Sequence, residues 1–299
     1  LRLYGKVWLS EYFWVIETEP QVSLRIKRVF QKVHKADFGK ITLAATPENS
    51  RELEWFLERY PMEVEDPEKL HELADEHRRI ENVVANIVNR DNYEPAEFDM
   101  ALPAREYQRV AADLAMQTGR LLVADDVGLG KSCTAICTLT DPDNLPALIV
   151  TLTHLPKQWQ NEIGKFAPGL RTHIVKKGTP YDMTKGPRGR RDLFPDVIII
   201  NYHKLAGWAE SLAGVVKSVI FDEAQELRRS VSLKYAAAIH LTAAAKLKVG
   251  LSATPIYNYG GEIFNVISAL SPGSLGSQDE FMREWCYGGI HAGDRPKIR

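Results

Sequence analysis

Lys131 and Ser132 close the stretch LLVADDVGLGKS, in which an apolar run from Leu121 to Val123 feeds a turn carrying Gly128 and Gly130. A lysine and a hydroxyl residue directly after a glycine turn, with the helix-like CTAICTLT behind them, suit phosphate binding. Backbone N–H groups and a helix N-terminus then face the anion. In that role Lys131 reaches the β- and γ-phosphates and the Ser132 hydroxyl ligates Mg²⁺. The general pattern G-x-x-x-x-G-K-S/T wants glycine where this chain has Asp125. Read alone, the stretch also fits a plain glycine turn before a helix.

A second chemical candidate is SVIFDEAQ, which sets Asp222 and Glu223 at the end of an apolar run. One carboxylate there can hold Mg²⁺ while its neighbour orients an attacking water; an exposed acidic turn is the plainer alternative. KVGLSATPIYN ends another apolar run with Ser252 and Thr254, whose hydroxyls can bond to the acidic pair and transmit its state. Upstream, LPAREYQRVAADLAM offers Arg105, Tyr107 and Gln108. A glutamine amide matches the N6 and N7 edge of adenine, although a glutamine by itself reads as an ordinary surface residue.

These residues need a frame. From Leu102 onward the runs LLVAD, ALIVTL, THIVK, DVIIIN, SVIFDEA and KVGLSAT recur, most of them separated by helical patterning. Near-continuous apolar strands alternating with helices predict an α/β fold with a parallel sheet covered on both faces. Ligands of such sheets sit at the carboxyl ends of the strands, where the residues named above fall. Residues 1–92 read differently, as a small α+β domain with a following helix, and 93–101 as a linker. WLSEYFWVIE, VSLRIKRVF and GKITLAA have strand composition, and Thr46-Pro47 and Asp66-Pro67 announce two helices.

The totals narrow the class. With 44% hydrophobic and 26% charged residues the chain is a packed globular protein, and no apolar run approaches the roughly 20 residues of a membrane span. No signal peptide opens it, and Cys133, Cys137 and Cys286 are wrongly spaced for zinc or a disulfide framework, so a reducing intracellular compartment is expected. The net charge of −1 is uneven: residues 1–100 hold 14 Lys and Arg against 20 Asp and Glu, so any nucleic-acid contact must rest on local patches. Two patches qualify. Arg25, Lys27, Arg28, Lys32, Lys35 and Lys40 form a basic segment read as one strand face, which could track a phosphate backbone or be a solvated outer face alternating with Leu24, Ile26 and Phe30. Lys176, Lys177, Lys185, Arg188, Arg190 and Arg191 crowd a Gly/Pro-rich loop suited to a phosphate backbone, or to plain solvation.

Taken in order, AREYQ, ADDVGLGKS, LIVTLTHLPKQWQNE, IIINYHKL, FDEAQELRR, LSATPIYN and SPGSLGSQDEFMREW resemble the first-lobe motifs of the Swi/Snf-type ATPases of helicase superfamily 2. The resemblance spans residues 102–286 and implies a RecA-like phosphate-loop lobe over 102–299 that uses ATP and Mg²⁺. It implies that Gln108, with Arg105 beside it, reads adenine; that Asp125, Gly128, Gly130, Lys131 and Ser132 hold the triphosphate; and that Asp222 and Glu223 are the metal and water-activating acids. An acid at position 125 is common in this family. Gln225 stands where the family often has histidine, and with Ser252 and Thr254 it would couple the site to a second lobe. Thr153, His154, Lys157, Asn201 and Tyr202 would face DNA, with Leu152 where proline is usual.

The resemblance therefore implies an ATP-dependent translocase on duplex DNA with no membrane partner. The arginine-bearing second lobe of the family is not legible in these residues, so the isolated chain is expected to be nearly inactive. A strand-separating or annealing helicase and a restriction-system motor are the enzyme alternatives; a non-catalytic, nucleotide-switched DNA-binding module is the alternative of another class.

Overall fold

The computed structural model describes residues 2–30, 33, 39–89, 93–185, 192–256, 259–287 and 297–298. The chain divides into two compact units, Leu1–Asp91 and Asn92–Arg299.

The first unit runs β1 (Gly5–Ser10), β2 (Phe13–Thr18), α1 (Pro20–Val29), β3 (Lys40–Ala44), α2 (Pro47–Arg59), β4 (Glu63–Val64) and α3 (Pro67–Asn89). Its sheet has the order β3-β2-β1-β4, antiparallel except where β4 joins β1. WLSEYFWVIE is a hairpin, turning at Glu11, which adopts a left-handed φ of 52°. The inward residues Val7, Trp14, Ile16, Ile41 and Leu43 meet Ile26, Leu53 and Phe56 in one core. Trp14 is fully buried there, and its indole N–H donates to Ser50 Oγ at 2.9 Å. Thr46 caps α2 by accepting from the Asn49 N–H, with Pro47 in the first turn.

VSLRIKRVF, expected as a strand, is helix α1. Its Val22, Leu24, Ile26 alternation suggests period two, but Leu24 is 58% exposed while Val22, Ser23, Ile26 and Phe30 are buried. That is the three- and four-residue spacing of one helix face. Pro20 sits in the first turn, where its fixed φ favours helix entry. The basic segment is thus not a strand face; Arg25, Lys27 and Arg28 lie on a helix, and Lys32 and Lys35 fall outside the described residues.

The second unit contains α4 (Glu106–Thr118), β5 (Arg120–Val123), α5 (Lys131–Leu139), β6 (Ala147–Thr151), α6 (Pro156–Phe166), β7 (Thr172–Ile174), β8 (Val197–Asn201), α7 (Tyr202–Leu212), β9 (Ser218–Asp222), α8 (Leu233–Ala244), β10 (Leu247–Leu251), α9 (Gly260–Leu270), α10 (Gln278–Trp285), β11 (Cys286–Tyr287) and β12 (Lys297–Ile298). Strands β5-β10-β9-β6-β8-β7 form one sheet in that order, every pair parallel. All six apolar runs read from the sequence are strands of this sheet. Along β6 and β8 every residue is buried, because alternate side chains enter two cores. Leu148, Val150, Ile198 and Ile200 face one, and Ala147, Ile149, Val197 and Ile199 face the other. Helices on both faces thus explain why these strands read as unbroken apolar runs.

Residues 93–101 have no regular structure but are tied to the second unit. The Tyr93 hydroxyl and the Ala96 N–H both donate to the Asp113 carboxylate, and the Ala101 N–H donates to Phe166 O at 2.8 Å.

Candidate nucleotide-binding site

Strands β5, β10, β9 and β6 are neighbours and parallel, so their carboxyl ends bring four loops together. Between them lies a cleft of about 460 Å³ lined by Gly128, Gly130, Lys131 and Ser132 from the first loop, Asp222 and Glu223 from the third strand end, and His154 and Trp159 around α6.

The glycine loop enters α5 through two left-handed residues, Gly128 (φ 87°) and Gly130 (φ 75°). The left-handed backbone at Gly130 favours glycine, and a Cβ there would lie 2.5 Å from Gln108 Nε2 and displace that amide from its bonds to the loop. Gln108 is buried. Its amide donates to Leu129 O at 3.0 Å and Gly130 O at 3.3 Å, while its oxygen accepts from the Arg105 N–H at 2.9 Å. The Tyr107 hydroxyl donates to Leu129 O at 2.7 Å. Both residues therefore brace the loop from behind. Gln108, expected as an adenine reader, has its amide committed to the backbone, and Arg105 is exposed at the start of α4. The Lys131 ammonium donates to the carbonyls of Asp125 (2.8 Å) and Asp126 (3.0 Å). It is held over its own loop at the mouth of α5, where an anion's oxygens could replace those carbonyls.

Asp222 Oδ2 accepts two hydrogen bonds, from Thr151 Oγ1 at 2.7 Å and Trp159 Nε1 at 2.8 Å. Among the described residues Oδ1 receives none, which leaves it to order water around a cation. No group of three His, Cys, Asp or Glu residues gathers among the described residues. The donors expected for a cation are one hydroxyl, Ser132, and one carboxylate, Asp222, with Glu223 next to it in the same cleft. Such a sparse set fits Mg²⁺, which keeps its waters and takes its other ligands from phosphates; it does not fit a cation needing a closed protein cage.

Glu223 follows in a left-handed conformation, φ 54°. Its carboxylate accepts from Gln225 Nε2 at 2.5 Å, Gln225 Oε1 accepts from Ser252 Oγ at 2.7 Å, and Ser252 Oγ accepts from the Thr254 N–H at 3.1 Å. A continuous relay thus joins the acidic pair to the loop after β10.

The residues expected to face DNA divide. Thr153, His154 and Lys157 are exposed, with His154 on the wall of the cleft. Lys185 is exposed in its loop; Arg188, Arg190 and Arg191 lie outside the described residues. Asn201 and Tyr202 turn inward. Asn201 caps α7 by accepting from the Lys204 N–H, and the buried Tyr202 hydroxyl donates to Asp222 O at 2.9 Å. Burial pushes the Tyr202 hydroxyl well above the ordinary tyrosine range, and the nearby Asp222 carboxylate adds to the rise. Both side chains are buried and bonded to backbone groups in this arrangement.

Sequence reasoning passed over Thr151 and Trp159. The signal for Trp159 was present: Leu155, Trp159 and Ile163 repeat every four residues as a buried face, and a buried indole N–H needs an acceptor.

The SNF2-related domain family matches residues 49–291. The chain is 30% identical over 169 residues to the SWI/SNF-related matrix-associated actin-dependent regulator of chromatin subfamily A-like protein 1 of Bos taurus, covering 56% of this chain and 17% of that protein. It is 30% identical over 184 residues to the DNA repair and recombination protein RAD54-like of Drosophila ananassae, covering 55% and 22%. The chain thus spans about a fifth of the length of these relatives. Among solved structures, the Sulfolobus solfataricus SWI2/SNF2 ATPase core in complex with dsDNA matches with a TM-score of 0.55 and 25% identity, over 64% of this chain and 41% of that one. The six-stranded parallel sheet with helices on both faces is accordingly a RecA-like fold.

Proposed function

The chain belongs to the SNF2-related family, and we propose that it carries the nucleotide-binding lobe of an ATP-dependent DNA translocase, acting on duplex DNA in an intracellular compartment. The observation that carries this reading is the convergence of Lys131, Ser132, Asp222 and Glu223 on one cleft at the carboxyl ends of β5 and β9, the two parallel strands that flank β10. Lys131 and the N–H groups at the start of α5 would take the phosphates. Ser132 and, through water, Asp222 would hold Mg²⁺, which draws off charge that develops on the phosphoryl oxygens. Glu223 would orient the attacking water, and its relay through Gln225 and Ser252 would report the state of the site to Thr254.

No arginine lines the cleft among the described residues. An arginine finger contributes on the order of 10³–10⁵ in rate in phosphate-loop enzymes. We therefore assign that role to a second RecA-like lobe, which closes on the first around ATP and DNA. Retention of Glu223 beside Lys131 favours hydrolysis over a nucleotide-switched binding module, since a switch needs no group to orient water. Movement with or without strand separation or annealing distinguishes the remaining motor readings.

The test is ATP hydrolysis by residues 1–299 joined to, or mixed with, a second RecA-like lobe, with and without duplex DNA. The expected result is DNA-stimulated hydrolysis that Glu223→Gln abolishes while ATP binding persists. Hydrolysis indifferent to DNA and to Glu223→Gln would overturn the reading.

A further inference from the structure

A second groove, of about 470 Å³, lies in the first unit beside α1. Its rim carries Arg25 and Arg28, one turn apart on the exposed face of that helix, and its wall carries Tyr4 and Tyr60, edge to face with ring centres 5.7 Å apart. Glu19 also borders it, but both of its oxygens accept from Arg2, at 2.8 and 2.9 Å, and the Arg2 guanidinium lies 5.1 Å over the Tyr4 ring. The acid is thereby compensated, and the groove keeps a net positive edge.

That edge is not a by-product of composition. Acids outnumber bases over residues 1–100, and several cations of this unit are paired: Lys6 with Glu63, Lys40 with Glu17, Lys69 with Glu72, and Arg78 with Glu54 and Asp75; Arg59 and Arg79 meet no acid among the described residues but do not line the groove. Among the described residues Arg25 and Arg28 meet no acid. Two like charges held one helical turn apart repel each other, and a phosphodiester chain would relieve that repulsion. Guanidinium forks match phosphate oxygens in pairs, and tyrosine faces accept sugar or base edges. A lipid surface is the poorer fit, because membrane-binding patches gather about four to eight cations.

We propose that this groove is a DNA-backbone contact, with Arg25 and Arg28 each engaging a phosphate. The proposal rests on the motor reading above, and it adds a point of attachment on the first unit, outside the RecA-like lobe.

The experiment measures anisotropy of labelled duplex and single-stranded DNA with the 299-residue chain across a salt series, for the wild type, Arg25→Ala/Arg28→Ala and Arg25→Lys/Arg28→Lys. For the alanine pair the slope of log affinity against log salt should flatten by about 1.8 on duplex and about 1.4 on single strands, for two lost contacts. The lysine pair should keep the wild-type slope, which a folding defect would not explain. Wild-type binding with an unchanged slope in the alanine pair overturns the groove and leaves the motor reading standing; absence of salt-dependent DNA binding by the wild type also overturns the groove, and the motor reading then stands or falls on the two-lobe hydrolysis test above. Arginine-dependent sedimentation with phosphatidylserine vesicles, at unchanged DNA slope, would overturn it in favour of a membrane contact.

Discussion

The indole N–H of Trp159 donates to Oδ2 of Asp222 at 2.8 Å, across a sequence separation of 63 residues. With the Thr151 hydroxyl on the same oxygen, it fixes which carboxylate atom faces the cleft. Trp159→Phe keeps most of the buried ring and removes the donor. A hydrogen bond to a charged group contributes about 1.5–3 kcal/mol, part of which water can replace here. We expect the affinity for Mg·ADP to fall about five- to tenfold, with Mg²⁺-free ADP binding unchanged. Titrations with Mg²⁺ and with EDTA separate the two; equal loss in both would make Trp159 a packing residue only.

Gln108 offers a test between loop support and base recognition. Its amide bonds to the Leu129 and Gly130 carbonyls, so Gln108→Ala should loosen the loop itself. The affinities for ATP and for inorganic tripolyphosphate should then fall by the same factor, about fivefold for a lost bond of about 1 kcal/mol. A loss confined to ATP would return Gln108 to the adenine.

Tyr202→Phe deletes the hydroxyl that donates to the Asp222 carbonyl. Leaving that carbonyl unpaired should cost about 1–2 kcal/mol at pH 7, read from urea midpoints. The pH dependence has a definite sign. The folded-state pKa of Tyr202 is raised, so its contribution is full below the unfolded value of about 10 and is lost as pH climbs toward the folded value. The gap between wild type and variant should therefore narrow above about pH 10. A constant gap from pH 7 to pH 11 would mean that the hydroxyl is not buried as described.

How much of this was legible in the sequence follows from what each signal depends on. The central strands of the RecA-like sheet announced themselves because burial on both faces leaves almost no polar residue inside them, as in Ala147–Thr151 and Val197–Asn201; the outer β5 and β7 are less buried and read through the apolar residues that remain. The acidic pair and the glycine loop were legible because their chemistry is local. Helix α1 was not: Val22, Leu24 and Ile26 satisfy a strand pattern, and only the core formed with Trp14 and Leu53 decides which side chains are buried. The same limit hid the Trp159–Asp222 bond, which joins two elements distant in sequence. It also hid what Asn201 and Tyr202, expected to face DNA, bond to within the lobe: a helix N-terminus and the Asp222 carbonyl.

The central claim is that the loop ending in Lys131-Ser132 binds the phosphates of a nucleotide. Lys131→Ala leaves the two loop carbonyls of Asp125 and Asp126 to solvent and removes the one ammonium lining the cleft among the described residues. The decisive measurement is a calorimetric titration of Mg·ADP into residues 1–299 of the wild type and of this variant. One equivalent bound by the wild type and none by Lys131→Ala, at unchanged thermal stability, is the predicted result; equal affinity for the two proteins would contradict it.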